Sequence, residues 1–122
     1  GTSSWTNHLY EAFFAGCIPV ILSDDFKVPF ETILDWPSFS IKWPMSDVSM
    51  DLYNFLLNTP VSQLRSMKAA VDAHACMFDW HQTLEPPGGE CSPYLGILRE
   101  LERKKLHFPR SPGPFWTHLR DE

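Results

Sequence analysis

Glu11 stands five residues before Gly16 and the apolar run 17–22, and His8, Thr6, Ser4 and Ser3 come just before it. An ionised carboxylate only accepts hydrogen bonds, and its two oxygens suit a vicinal diol such as that of a ribose. The hydroxyls of Ser3, Ser4 and Thr6 are donors suited to phosphate oxygens. A helix beginning near Thr6 would add free N–H groups and the positive end of its dipole to the same anion. One loop–helix unit of this kind would read both the ribose and the diphosphate of a nucleotide. A surface glutamate on a helix has the same local sequence, so the surrounding elements have to decide.

Those elements can be read from pattern. The polar start 3–7 offers several caps for a helix over residues 6–15. Leu9, Ala12, Phe13 and Gly16 recur at helical spacing and should face a sheet, and Gly16 fits the left-handed position that ends a helix. Residues 18–22 read as a buried parallel strand, with Pro19 tolerable near its first residue. In open α/β sheets ligands sit beyond the carboxyl ends of the strands. Residues 29–36 read as a short helix stopped by Pro37. Residues 39–43 alternate as a second strand. Helices follow through Leu57, capped by Ser46 or Asp47, with Met50, Leu52, Tyr53, Leu56 and Leu57 apolar, and from Pro60 to about Phe78, with Thr59 as N-cap and Pro60 in the first turn. This order predicts an α/β fold, parallel strands flanked by helices. Two strands are too few for a stable sheet, so further strands are expected upstream or in a partner.

The 122 residues are 43% hydrophobic and 20% charged, the balance of a globular chain rather than a disordered one. A net charge of −5 argues against a basic nucleic-acid surface. No apolar run approaches membrane-spanning length. The start at Gly1, without Met, predicts a piece of a longer chain. Cys17, Cys76 and Cys91 lack CxxC spacing, which argues against zinc. Cys17 is expected to be buried as a small apolar residue. Cys76 and Cys91 either stay reduced or pair as a disulfide, the latter if the chain matures in an oxidising compartment. His74 and His81 lie too far apart along a helix to share an ion. Asp24 and Asp25 read as a loop pair capping residues 26–30, not as a metal site. From Glu85 the composition shifts to a Pro/Gly linker, a helix starting at Ser92-Pro93 and running to about Lys105, and a proline-broken tail.

Glu11-Ala12, Gly16, Pro19-Val20-Ile21 and Ser23 together resemble the nucleotide-sugar signature of glycosyltransferases built from two Rossmann-like domains. The longer order, from Glu11-Ala12 through Asp25, then Val28-Pro29-Phe30-Glu31 and Leu34-Asp35-Trp36, resembles the exostosin family; Phe39-Ser40-Ile41 and the helix from Asp47 continue it. The resemblance covers about residues 3–80. It implies the C-terminal, donor-binding half-domain of a two-Rossmann-domain transferase, with residues 1–84 as the nucleotide-sugar-binding segment and 85–122 as linker, charged helix and tail. It implies sugar transfer, taken as inverting, from a UDP-sugar to a glycan acceptor at the lumenal side of a Golgi membrane, without a cofactor. Ribose binding then falls to Glu11, and Ser3, Ser4 and Thr6 face the diphosphate. The catalytic base would come from an N-terminal domain of the same protein.

His8 departs from the family pattern, which commonly has Arg three residues before the acid. Arg offers a permanent charge and a fork of donors, whereas His is largely neutral at pH 7. Either His8 substitutes when the phosphate protonates it, or donor binding is impaired. The alternatives are therefore a non-catalytic nucleotide-sugar-binding module and, more remotely, an unrelated Rossmann-like interaction domain.

Overall fold

The computed structural model describes residues 6–81 and 91–107. Helix α1 spans His8–Phe14, two residues shorter at its start and one at its end than the pattern predicted. It closes as a Schellman motif: Gly16 N–H donates to the Phe13 carbonyl (2.9 Å) and Cys17 N–H to that of Ala12 (2.8 Å). Gly16 holds a φ of +71°, a conformation an L side chain rarely adopts. Leu9 and Phe13 point into the core, as their spacing requires.

Strands β1 (Val20–Leu22) and β2 (Ile41–Trp43) pair in parallel, with Val20 opposite Ile41 and Leu22 opposite Trp43. Helices α2 (Met50–Asn58), α3 (Val61–His74) and α4 (Pro93–His107) complete the described elements, with 3-10 turns at Trp36–Ser38, Met45–Asp47 and Ala75–Phe78. The expected Rossmann-like α/β half-domain is thereby corrected. The described residues are mostly helical, around one open sheet of two three-residue strands. Parallel sheets are stable when several strands are covered on both faces, and this pair is too short and too open to organise the fold. Val20 and Leu22 remain partly exposed beside it.

The core lies instead among aromatic rings. Phe13, 1% exposed, stacks on Phe78 at 4.7 Å and meets Trp36 and Phe39 edge-on at 5.6 and 5.7 Å. Val71 of α3, together with Leu9 and Met77, closes the cluster. Offset and edge-on pairs of this kind add to the burial of the rings themselves. The predicted helix over 29–36 is replaced by a turn. Phe30 takes a left-handed φ of 55°, and the Trp36 indole N–H donates to the Pro29 carbonyl at 2.9 Å.

The second helical stretch divides, with α3 ending at His74 and a 3-10 turn carrying Met77 and Phe78 inward. Ser49, not Ser46 or Asp47, caps α2, its hydroxyl accepting from Asp51 N–H. Of the apolar side expected for α2 only Leu52 is buried, while Met50 and Leu57 are about two-thirds exposed.

Helix α4 starts as predicted, with the Ser92 hydroxyl accepting from Leu95 N–H at 3.2 Å. A Cys76–Cys91 disulfide, Cα–Cα 5.5 Å, ties it to the Ala75–Phe78 turn. Gly96 lets it approach closely, because a Cβ there would lie 2.8 Å from both Met77 Cε and Phe30 Cζ. The Glu100 carboxylate accepts from the Thr32 hydroxyl, and Arg103 donates to the Thr32 carbonyl at 2.6 Å. The expected placement in a Golgi membrane is also set aside, since no helix among the described residues is long and apolar enough to cross a membrane.

Phe13→Ala should cost about 3–5 kcal/mol, the range for emptying a buried aromatic site, read as a lowered urea midpoint. Gly96→Val should cost about 1–3 kcal/mol through overpacking. Its signature is faster amide hydrogen exchange along α4 than along α3.

Candidate functional site

The start of α1 brings three of the sequence-predicted residues together. His8 N–H donates to the Thr6 hydroxyl at 3.3 Å, and His8 Nδ1 lies 2.7 Å from Glu11 Oε2. A carboxylate can only accept, so Nδ1 carries the shared proton and Nε2 faces outward. Three residues apart on one helix, the two side chains are neighbours. Both are exposed, His8 at 86% and Glu11 at 67% of the side chain. Glu11 Oε1 has no partner among the described residues and keeps its acceptor capacity. Ser3 and Ser4 lie outside the described residues. With seven residues and no side-chain cap on its start, α1 gives less to an anion than the longer predicted helix would. Any anion contact here would rest on side chains.

A separate cleft of about 470 Å³ lies beside β2. Neither Glu11, His8 nor Thr6 lines it. Its apolar floor includes Ile21, Leu34, Trp36 and Met67, and Glu31, Lys42 and Gln63 contribute the polar groups. Pairing Ile21 with Lys42 in register puts both side chains on one face of the sheet. Sequence reasoning missed this cleft because its residues come from five elements and share no motif.

The remaining candidates fall into structural roles. Asp24 Oδ1 accepts from Met45 N–H at 3.3 Å, while Ser23, not the aspartate pair, accepts from Phe26 N–H at 3.1 Å. Cys17 is exposed with a free thiol, correcting the expectation of burial; the Schellman turn carries it outward just before β1. His74, half-buried, stacks on Phe39 at 4.8 Å and donates from Nδ1 to the Ala70 carbonyl at 2.7 Å, as a satisfied structural histidine does. Asp79 accepts from His81 N–H at 3.0 Å in a local turn. Among the described residues, no group of three or more His, Cys, Asp or Glu could hold a metal ion.

Residues 1–59 match the Exostosin GT47 domain. That span holds α1, both strands and the whole Thr6–His8–Glu11 cluster. This homology supports membership in the exostosin family of glycosyltransferases. Exostosin-2 of Mus musculus is 37% identical over 60 residues, 49% of this chain and 8% of that protein. A probable glucuronosyltransferase of Oryza sativa subsp. japonica is 30% identical over 122 residues, 95% of this chain and 28% of the relative. A probable glucuronoxylan glucuronosyltransferase of Arabidopsis thaliana is 29% identical over 118 residues, covering 94% of this chain and 25% of its own length. The chain thus spans between a twelfth and less than a third of the length of these relatives. No solved structure matches it.

An exposed ion pair on a helix surface contributes about 0–1 kcal/mol. His8→Ala should therefore leave the urea midpoint nearly unchanged. A large loss of stability would make the pair a structural element rather than a recognition one.

Proposed function

We propose that this chain supplies the donor-binding part of a glycosyltransferase that moves a sugar from a UDP-sugar to a glycan acceptor. Glu11 accepts hydrogen bonds from the ribose hydroxyls through its unengaged oxygen. His8, oriented by its Nδ1–H bond to Glu11 and protonated when the diphosphate binds, donates from Nε2–H to that diphosphate, and the Thr6, Ser3 and Ser4 hydroxyls add donors. The observation that supports this most is the bonded Thr6–His8–Glu11 group within the stretch that matches the exostosin family. Residues 1–84 form the nucleotide-sugar-binding segment in this proposal, and α4 of the segment 85–122 braces it. Most acceptor contacts and the base that deprotonates the acceptor hydroxyl in an inverting transfer belong to an N-terminal domain of the same protein. No cofactor is invoked.

One observation favours a second reading, a nucleotide-sugar-binding module without turnover. The imidazole of His8 is committed to Glu11, and a single ring nitrogen replaces the fork of donors an arginine would give the diphosphate.

Titration calorimetry with UDP tests the proposal. Glu11→Ala should weaken binding by about 1–3 kcal/mol, the range for hydrogen bonds to a charged group, with the fold intact by circular dichroism. His8→Arg should strengthen it. Unchanged affinity in folded Glu11→Ala removes the ribose role, and sugar transfer by the longest available chain separates the transferase from the silent module.

A further inference from the structure

We propose that the cleft beside β2 is a saccharide site, holding an uncharged sugar ring of a glycan; its biological sense rests on the transferase reading, its ligand on the cleft's own chemistry. At about 470 Å³ it falls within the range of small-ligand pockets, about 300–1,000 Å³. Its floor is apolar and already satisfied. The Trp36 indole N–H is spent on the Pro29 carbonyl and the Ser40 hydroxyl on the Trp36 carbonyl at 2.8 Å. The floor therefore favours a C–H surface and offers nothing to a buried polar atom.

The polar groups of the cleft have capacity to spare. The side chains of Glu31 and Gln63 have no hydrogen-bond partner among the described residues. Lys42 Nζ donates one bond, to the Phe26 carbonyl at 3.0 Å, which leaves two of its three N–H groups. An acceptor-only carboxylate, a donor-only ammonium and a carboxamide that does both thus meet over one apolar surface. A pyranose matches that pattern, because it carries an apolar C–H face ringed by hydroxyls that each donate and accept. The two charges cancel, so a diphosphate or a uronate gains no net attraction here. This separates the cleft chemically from the Glu11 group.

The test is a titration of the full ¹⁵N-labelled chain, followed by NMR, with three probes: cellohexaose, an oligogalacturonate and UDP. Cellohexaose should shift the Gln63 side-chain amide and the Trp36 indole signals saturably. The double variant Glu31→Ala/Gln63→Ala, altered only at exposed positions, should weaken that binding at least tenfold while leaving UDP affinity unchanged. Glu11→Ala should do the reverse. Absence of saturable shifts at millimolar cellohexaose, a preference for oligogalacturonate, or an unaffected double variant each overturn the proposal. UDP binding without cellohexaose binding removes the cleft site and spares the donor reading; cellohexaose binding without UDP binding does the opposite.

Discussion

The burial of Phe13 among Trp36, Phe39 and Phe78 is the contact on which the other elements depend. These four rings come from α1, the Trp36–Ser38 turn with the residue after it, and the Ala75–Phe78 turn. No two strands of the small sheet could bring those segments together on their own. Aromatic rings bury large areas and fix their neighbours' orientation through edge-on and offset contacts. Anchoring Phe13 fixes the rotation of α1, and that rotation leaves His8 and Glu11 on its solvent side. The position of the His8–Glu11 pair is thus a consequence of core packing on the opposite face of the same short helix.

A second constraint runs through Phe30. Its left-handed backbone is held where its ring packs 6.0 Å from Phe78 and beneath Gly96 of α4. Left-handed geometry in a bulky residue persists only where surrounding contacts over-determine it. Those contacts here are the Cys76–Cys91 disulfide, the close passage at Gly96, and the bonds of Glu100 and Arg103 to Thr32. Helix α4 therefore acts as a brace on the turn that carries Val28, Glu31 and Leu34 into the cleft.

What the sequence disclosed and what it hid divide along the range of the interactions. Gly16 as a helix stop, the Ser92 cap and the buried spacing of Leu9 and Phe13 are local, and all were legible. The turn at residues 29–36 was misread as a helix because its conformation is set by α4, more than sixty residues away, and by the indole of Trp36. Cys17 was assigned to the interior on residue type, whereas the Schellman turn at Gly16 decides where it points. The parallel pairing of β1 with β2 fits the reading, but the α/β sheet built on it does not: two three-residue strands leave the organising role to the aromatic cluster. Glu11 and His8 could be singled out because they sit within a compact motif. Glu31, Lys42 and Gln63 were not, because only the folded chain makes them neighbours.

The bonded His8–Glu11 pair lies within the stretch that matches the exostosin family, and the proposal built on it is a carboxylate presented to a nucleotide's sugar. Its most direct test is a crystal structure of the chain grown with UDP. The account predicts a ribose hydroxyl at about 2.5–3.0 Å from a Glu11 carboxylate oxygen, the normal O–H···O distance, with the diphosphate facing His8. UDP seated elsewhere, with Glu11 still turned only to His8 and solvent, would contradict it.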